Sequence, residues 1–150
     1  PKAPFDYTEK DFQDTYMLNT IAPSRMIQSF VDYSLKNNIE GKIVVTSSNR
    51  GLFGDYGPYG MSKAAIINYI QGMSRTYTQF GIRINGVAPG MTASEINNID
   101  TKGNLFTSSA RGERVLLPEE IAEVILFLLE NKSRCINGAI IPCDEGDFLR

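Results

Sequence analysis

The amino-acid sequence predicts an α/β protein, a parallel sheet joined by crossover helices. Two observations carry this. Helical and strand patterns alternate along the chain in the order helix, strand, helix, strand, helix, strand, and no repeat or low-complexity tract interrupts them. The strand count is also informative: three strands make a poor doubly wound sheet, which usually has about five or more. The chain therefore reads as the second half of a larger sheet.

Taken in order, Thr8 with Asp11 three positions on reads as an N-cap followed by an acidic first turn. The helix it opens runs to about Lys36, with Phe12, Tyr16, Ile27, Phe30 and Val31 at helical spacing. Lys42 to Ser48 reads as a short buried strand, because Ile43, Val44 and Val45 are consecutive and β-branched. A Gly-rich turn, Gly51 to Gly57, leads into a long helix from about Pro58 to Phe80; Pro58 suits its first turn and Gly81 its stop. Ile82 to Val87 is the second strand and ends at Pro89–Gly90. Met91 to Leu117 is irregular and polar, with room for short helices. Pro118 starts another helix, with Glu119 and Glu120 in its first turn and Ile121, Ile125, Leu128 and Leu129 on its apolar face. Gly138 to Pro142 is the last strand.

Composition excludes several functions. The 150 residues carry a net charge of −2 with scattered basic residues, which argues against a nucleic-acid or anionic-membrane partner. No apolar run approaches the ~20 residues that span a bilayer, and Pro1 to Lys10 lack the apolar core of a signal peptide. There is no His, so imidazole catalysis and the common zinc sites are out, and no metal is expected. Cys135 and Cys143 read as small hydrophobes in a buried strand and its approach. A reducing cytoplasm is the default compartment.

The remaining acid–base chemistry centres on Tyr59 and Lys63. Four apart, they share one helical face, and an ammonium beside a phenol draws its pKa from ~10 toward the working range. The spacing alone also fits a surface pair. Context strengthens it. Ser48 stands eleven positions earlier at the carboxyl end of the first strand, and Pro89–Gly90 closes the second. Ligands of open parallel sheets bind beyond such strand ends. A Ser there also serves simply as a turn residue.

The runs Gly41-Lys-Ile-Val-Val-Thr-Ser-Ser48, Tyr59-Gly-Met-Ser-Lys63-Ala-Ala, Gly81-Ile-Arg-Ile-Asn-Gly-Val-Ala-Pro-Gly90, Pro118-Glu-Glu-Ile-Ala122 and Asn137-Gly138, in that order, resemble the C-terminal portion of a short-chain dehydrogenase/reductase. The resemblance covers nearly the whole chain. It implies the C-terminal half of a Rossmann-like doubly wound sheet and reversible hydride transfer between NAD or NADP and a ketone or secondary alcohol. Tyr59 is then the acid/base, Lys63 its modulator and a ligand of the nicotinamide ribose, and Ser48 the group that polarises the substrate carbonyl. Asn19 would support a proton-relay water near the lysine. Pro89 and Gly90 would wall the nicotinamide pocket, with the Thr92 backbone and the Ser94 hydroxyl near its carboxamide. Pro23, which cannot donate to the Asn19 carbonyl, fits the relay; it also fits the start of a second helix.

The resemblance further implies a homodimer or homotetramer through the helices carrying Asn19 and Tyr59, with Gly72 permitting close approach. Met91–Leu117 would be a substrate lid, with Ile96 and Phe106 as contacts and sugar, polyol, acyl-thioester and steroid substrates all open. The chain departs from the family's pattern in three ways. The Gly-rich phosphate loop, the residue that selects NAD or NADP, and the Asn-Asn-Ala-Gly segment do not occur, so these residues alone are expected to bind dinucleotide weakly or not at all. The Ser48–Tyr59 interval is short by about two residues, which leaves Ser47 in contention with Ser48. Glu145 occupies a glycine position, which suggests strain or altered subunit packing. The alternative is a fragmentary or non-catalytic protein that keeps the fold for binding or assembly.

Overall fold

The structure, a computed structural model, describes residues 3–95 and 99–149. Helix α1 (Glu9–Tyr16) starts at the expected cap: the Thr8 hydroxyl accepts from the Asp11 amide, and the Asp11 carboxylate accepts from the Thr8 amide at 2.8 Å. The single helix expected to Lys36 is interrupted. A π-turn over Met17–Ile21 separates α1 from α2 (Ala22–Asn37), with the Ala22 amide donating to the Met17 carbonyl five residues back. Pro23, the second residue of α2, has no N–H to continue an α-helical ladder onto Asn19, and one wider turn absorbs that gap.

Strand β1 (Gly41–Thr46) pairs in parallel with β2 (Ile82–Pro89), from Gly41 opposite Ile82 to Thr46 opposite Val87; β2 pairs in parallel with β3 (Ile140–Cys143). The order is β1-β2-β3, so β2 is central and buried, whereas β1 is an edge strand. β1 was expected to be buried; its side chains are half-buried because only β2 flanks it among the described residues.

Alternation along the strands builds a core on each face. Ile43 and Val45 of β1 and Ile82 and Ile84 of β2 pack with Ile27 and Val31 of α2 and with Ile66 and Ile70 of α3 (Pro58–Tyr77). On the other face Val44 and Val87 pack with Ile121 and Leu128 of α4 (Pro118–Leu129). Each fully buried aliphatic side chain here contributes about 1.5–3 kcal/mol. α3 ends as expected: a short 3₁₀ turn, Thr78–Phe80, runs into Gly81 at φ +73°, a conformation that suits glycine.

One buried junction fixes the three layers. Asn85, 1% exposed, donates to the Ile136 carbonyl and accepts from the Ala139 amide, both at 3.0 Å. Asn137 accepts from the Ile84 amide and donates to the Ser74 carbonyl of α3. Cys143 is half-buried in β3, and burial beside Asp144 raises its thiol pKa. Cys135, expected near a buried strand, is exposed, because its turn precedes β3 on the surface. Among the described residues no helix is long and apolar enough to cross a membrane, and no cluster of metal-ligating side chains forms.

Candidate active site

Both parallel strands that frame the site end at the same sheet edge, where α3 begins. Pro58 at the start of α3 sets the helix so that Tyr59 and Lys63 lie one turn apart facing that edge. The Lys63 ammonium lies 5.7 Å from the Tyr59 ring centre and donates to the Thr46 carbonyl at 3.3 Å. Burial lowers the Lys63 pKa. Tyr59 remains 47% exposed, open to a ligand.

The end of β1 is fastened to the backbone of Lys63. The Ser47 hydroxyl donates to the Lys63 carbonyl at 3.1 Å, and Gly51 lies where an added Cβ would stand 2.7 Å from the Lys63 carbonyl carbon. Ser48 has a different partner. Its hydroxyl accepts the Arg50 amide at 3.2 Å as the cap of a 3₁₀ turn, Asn49–Gly51.

Ser47, Ser48, Tyr59, Lys63, Pro89, Gly90 and Thr92 line one cavity of about 400 Å³, so both contending serines border it, and its far wall is Pro118, Ile121 and Ile125 of α4. A second cavity of about 350 Å³ shares Ser48, Tyr59 and Gly90 and extends to Met91, Ser109 and Asp147. The first is the more apolar chamber; the second carries Arg50 and Asp147. A ligand reaching from one chamber to the other must pass Ser48 and Tyr59.

Asn19 and Ser94 do not line either cavity. The Asn19 amide donates to the Ser62 hydroxyl at 3.2 Å, and the Ser62 hydroxyl donates to the Tyr59 carbonyl at 2.7 Å. The side chain of Asn19 thus supports the turn that carries Tyr59 and Lys63. Ser94 lies in the segment that follows β2, its carbonyl accepting the Ile99 amide. Phe106 is exposed and outside both cavities; Ile96 lies outside the described residues.

Segment 91–117 forms no α-helix among its described residues, and isolated bridges hold it at Thr92–Leu116 and Phe106–Arg114. Its second limb is fixed by charge. Arg114 meets both carboxylate oxygens of Glu120 at 2.8 Å and one oxygen of Glu145 at 2.6 Å. Arg114, with the Leu117 amide, holds the Glu120 carboxyl down to about 2. Glu145 adopts φ +52°, so the strain expected at this position is present, and its carboxylate occupies space that only a glycine at 112 leaves open.

Several contributors carry no sequence motif. Asn49 donates to Asp144 at 3.1 Å and to Asp147 at 3.2 Å, tying the turn after Ser48 to the C-terminal segment. The α4 wall, Arg50 and Asp147 reach the cavities through the fold alone.

Comparisons with known proteins give the family and the fold. The family profile described as Enoyl-(Acyl carrier protein) reductase matches residues 2–147. The chain is 34% identical over 152 residues to a cyclohexanol dehydrogenase of Rhodococcus sp. (strain TK6), covering 92% of this chain and 54% of that protein. A 4-hydroxyisoleucine dehydrogenase mutant, solved with NADH and succinate, superposes with a TM-score of 0.88 at 22% identity over 97% of this chain and 63% of that one. ElxO, solved with NADP, superposes with a TM-score of 0.85 at 24% identity over 97% and 61%. At these identities the two superpositions show the fold alone. The chain spans about half the length of the cyclohexanol dehydrogenase it matches.

Proposed function

The chain belongs to the short-chain dehydrogenase/reductase family, and from that premise we propose that it is the acid–base portion of an NAD- or NADP-dependent oxidoreductase interconverting a ketone and a secondary alcohol. The observation that carries this reading is the convergence of Ser48, Tyr59 and Lys63 on one cavity at the carboxyl ends of β1 and β2. The chain's own residues fit the nicotinamide end of the cofactor. An ammonium and a phenol stand on one side, and Pro89, Gly90, Ile121 and Ile125 offer flat apolar walls on the others. In this reading the phosphates are held by a Gly-rich turn of the larger protein, outside these residues.

When bound, the nicotinamide supplies hydride to the carbonyl carbon or accepts it from the alcohol. Tyr59 donates its phenolic proton to the oxygen of the ketone being reduced, and takes it back in the reverse direction. Ser48, whose oxygen is already used as an acceptor by Arg50, donates its own proton to that same oxygen and aligns it. Lys63 keeps positive charge beside the phenol as negative charge grows there. Asn19 braces the turn that carries Tyr59 and Lys63 through the Ser62 hydroxyl, and in this reading it supports a proton-relay water near Lys63.

Assembly follows from the same faces. Leu18 at 72% and Met26 at 73% exposure, with Met61 on α3, leave the helices carrying Asn19 and Tyr59 apolar outward, which suits a homodimer or homotetramer. Apart from the backbone of α3 itself, no atom of the described residues lies within 4 Å of a Cβ added at Gly72, which leaves that face of α3 open to a partner helix.

The test is spectrophotometric. The full-length protein is incubated with NAD⁺ or NADP⁺ and a panel of secondary alcohols, then with the reduced forms and ketones, following absorbance of the reduced nicotinamide. Turnover with one cofactor supports the reading; none with either removes it.

A further inference from the structure

Ser48 and Tyr59 sit at opposite ends of the segment 49–58, which contains Gly51, Gly54 and Gly57. Such a composition gives a loose tether by itself, yet the two hydroxyls must meet one substrate oxygen. We propose that Asp55 is a positioning residue that fixes the separation of Ser48 and Tyr59. The proposal rests on the assignment of those two residues as the groups that act on the substrate.

Asp55 reaches both ends of the segment at once. Its side chain is 3% exposed, and its Oδ2 accepts the Arg50 Nη2 at 2.5 Å and Nε at 2.8 Å. The Arg50 amide in turn donates to the Ser48 hydroxyl. The Asp55 Oδ1 accepts the amide of Gly57, the cap of α3, at 2.9 Å. Gly60, the neighbour of Tyr59, lies against the same carboxylate: a Cβ added there would stand 2.0 Å from Oδ2 and 2.5 Å from the Asp55 Cβ. Any side chain at position 60 would therefore expel Asp55. One buried carboxylate thus links the turn that Ser48 caps to the first turn of α3.

Charge makes the arrangement self-enforcing. A buried carboxylate is tolerated because Arg50 neutralises it and the N-terminal end of α3 favours negative charge. It cannot swing toward solvent without giving up both partners. The tight Ser48–Tyr59 interval, a departure from the family's pattern, becomes workable because the side chain, not the loop backbone, sets the distance.

Variants D55N, D55A and G60A of the active full-length enzyme test this, each studied well below its own thermal midpoint and checked for folding by circular dichroism. The readouts are kcat, KM for the alcohol, and nicotinamide affinity by fluorescence. Misplacing reacting groups by about 1 Å costs up to ~100-fold. D55A and G60A are therefore expected to lower kcat by about tenfold or more, with cofactor affinity within about twofold. D55N keeps its shape and an acceptor for Gly57, so it falls between them and wild type; it also stands in if D55A does not fold. The proposal is overturned if D55A or D55N loses thermal stability but keeps wild-type kcat, or if cofactor affinity falls in step with kcat. A Tyr59→Phe control in the same series separates the premise: retained turnover there defeats the site assignment, whatever Asp55 does.

Discussion

Ser47 and Ser48 are adjacent, both buried and both on the cavity, but their hydroxyls have different partners, and the proposed function gives the catalytic part to Ser48, which can be measured. In Ser47→Ala the lost interaction is the 3.1 Å bond to the Lys63 carbonyl. That carbonyl lies inside α3 and keeps its helical donor four residues on, the Ile67 amide, so nothing is left orphaned. The cost is then one ordinary hydrogen bond, about 1 kcal/mol, or roughly 2–4 °C in Tm for a protein of this size class. In Ser48→Ala the Arg50 amide loses its cap at the rim of a cavity, where water replaces it, so stability changes little. Under the proposed function what disappears is the donor to the substrate oxygen, and the expected loss is about 10²–10³ in kcat. The assay pairs initial rates of the full-length enzyme with thermal unfolding of both variants. Equal losses of kcat in the two, or a larger loss in Ser47→Ala, would refute the reasoning.

Lys63→Met should lower kcat by about 10²–10⁴ while leaving Tm unchanged or higher. Burial holds the Lys63 pKa below its ordinary value. The unfolded chain therefore binds more protons in the window just below 10.5, and this group's contribution to stability rises with pH there. Removing the charge removes that penalty; calorimetry and rates on one preparation check both halves. Glu145→Gly relieves a left-handed backbone worth about 1 kcal/mol and frees Arg114 from one of its two carboxylates. Its Tm should not fall, while tryptic cleavage after Arg111, in segment 91–117, accelerates. Asn19→Ala removes the bond to Ser62 and should lower kcat severalfold with KM nearly unchanged; a variant at full turnover would count against the relay.

Local signals were legible wherever the cause is local. The Thr8–Asp11 cap, Pro58 and Gly81 bounding α3, and Pro118 opening α4 all stand where their chemistry places them, within a turn. Ser48, Tyr59, Lys63, Pro89 and Gly90, read from three separate runs, share one cavity with Ser47 and Thr92 because parallel strands end at one edge. What escaped depends on contacts distant in sequence or on small backbone changes. The π-turn at Met17–Ile21 adds a wider turn without spoiling the helical rhythm on either side. Asp55 looks like any turn aspartate until Gly60 is seen against it. The pairing of Arg114 with Glu145, and of Asn49 with Asp144, joins segments that no periodicity connects.

The central claim is that Tyr59 moves the proton. Its most direct test is Tyr59→Phe in the full-length enzyme, measuring kcat together with binding of the reduced nicotinamide. The phenyl ring keeps the shape of the cavity wall and its contact with Lys63 and loses only the oxygen. The account predicts that turnover falls by about 10²–10⁴ with cofactor affinity preserved. Turnover within a fewfold of wild type would contradict it.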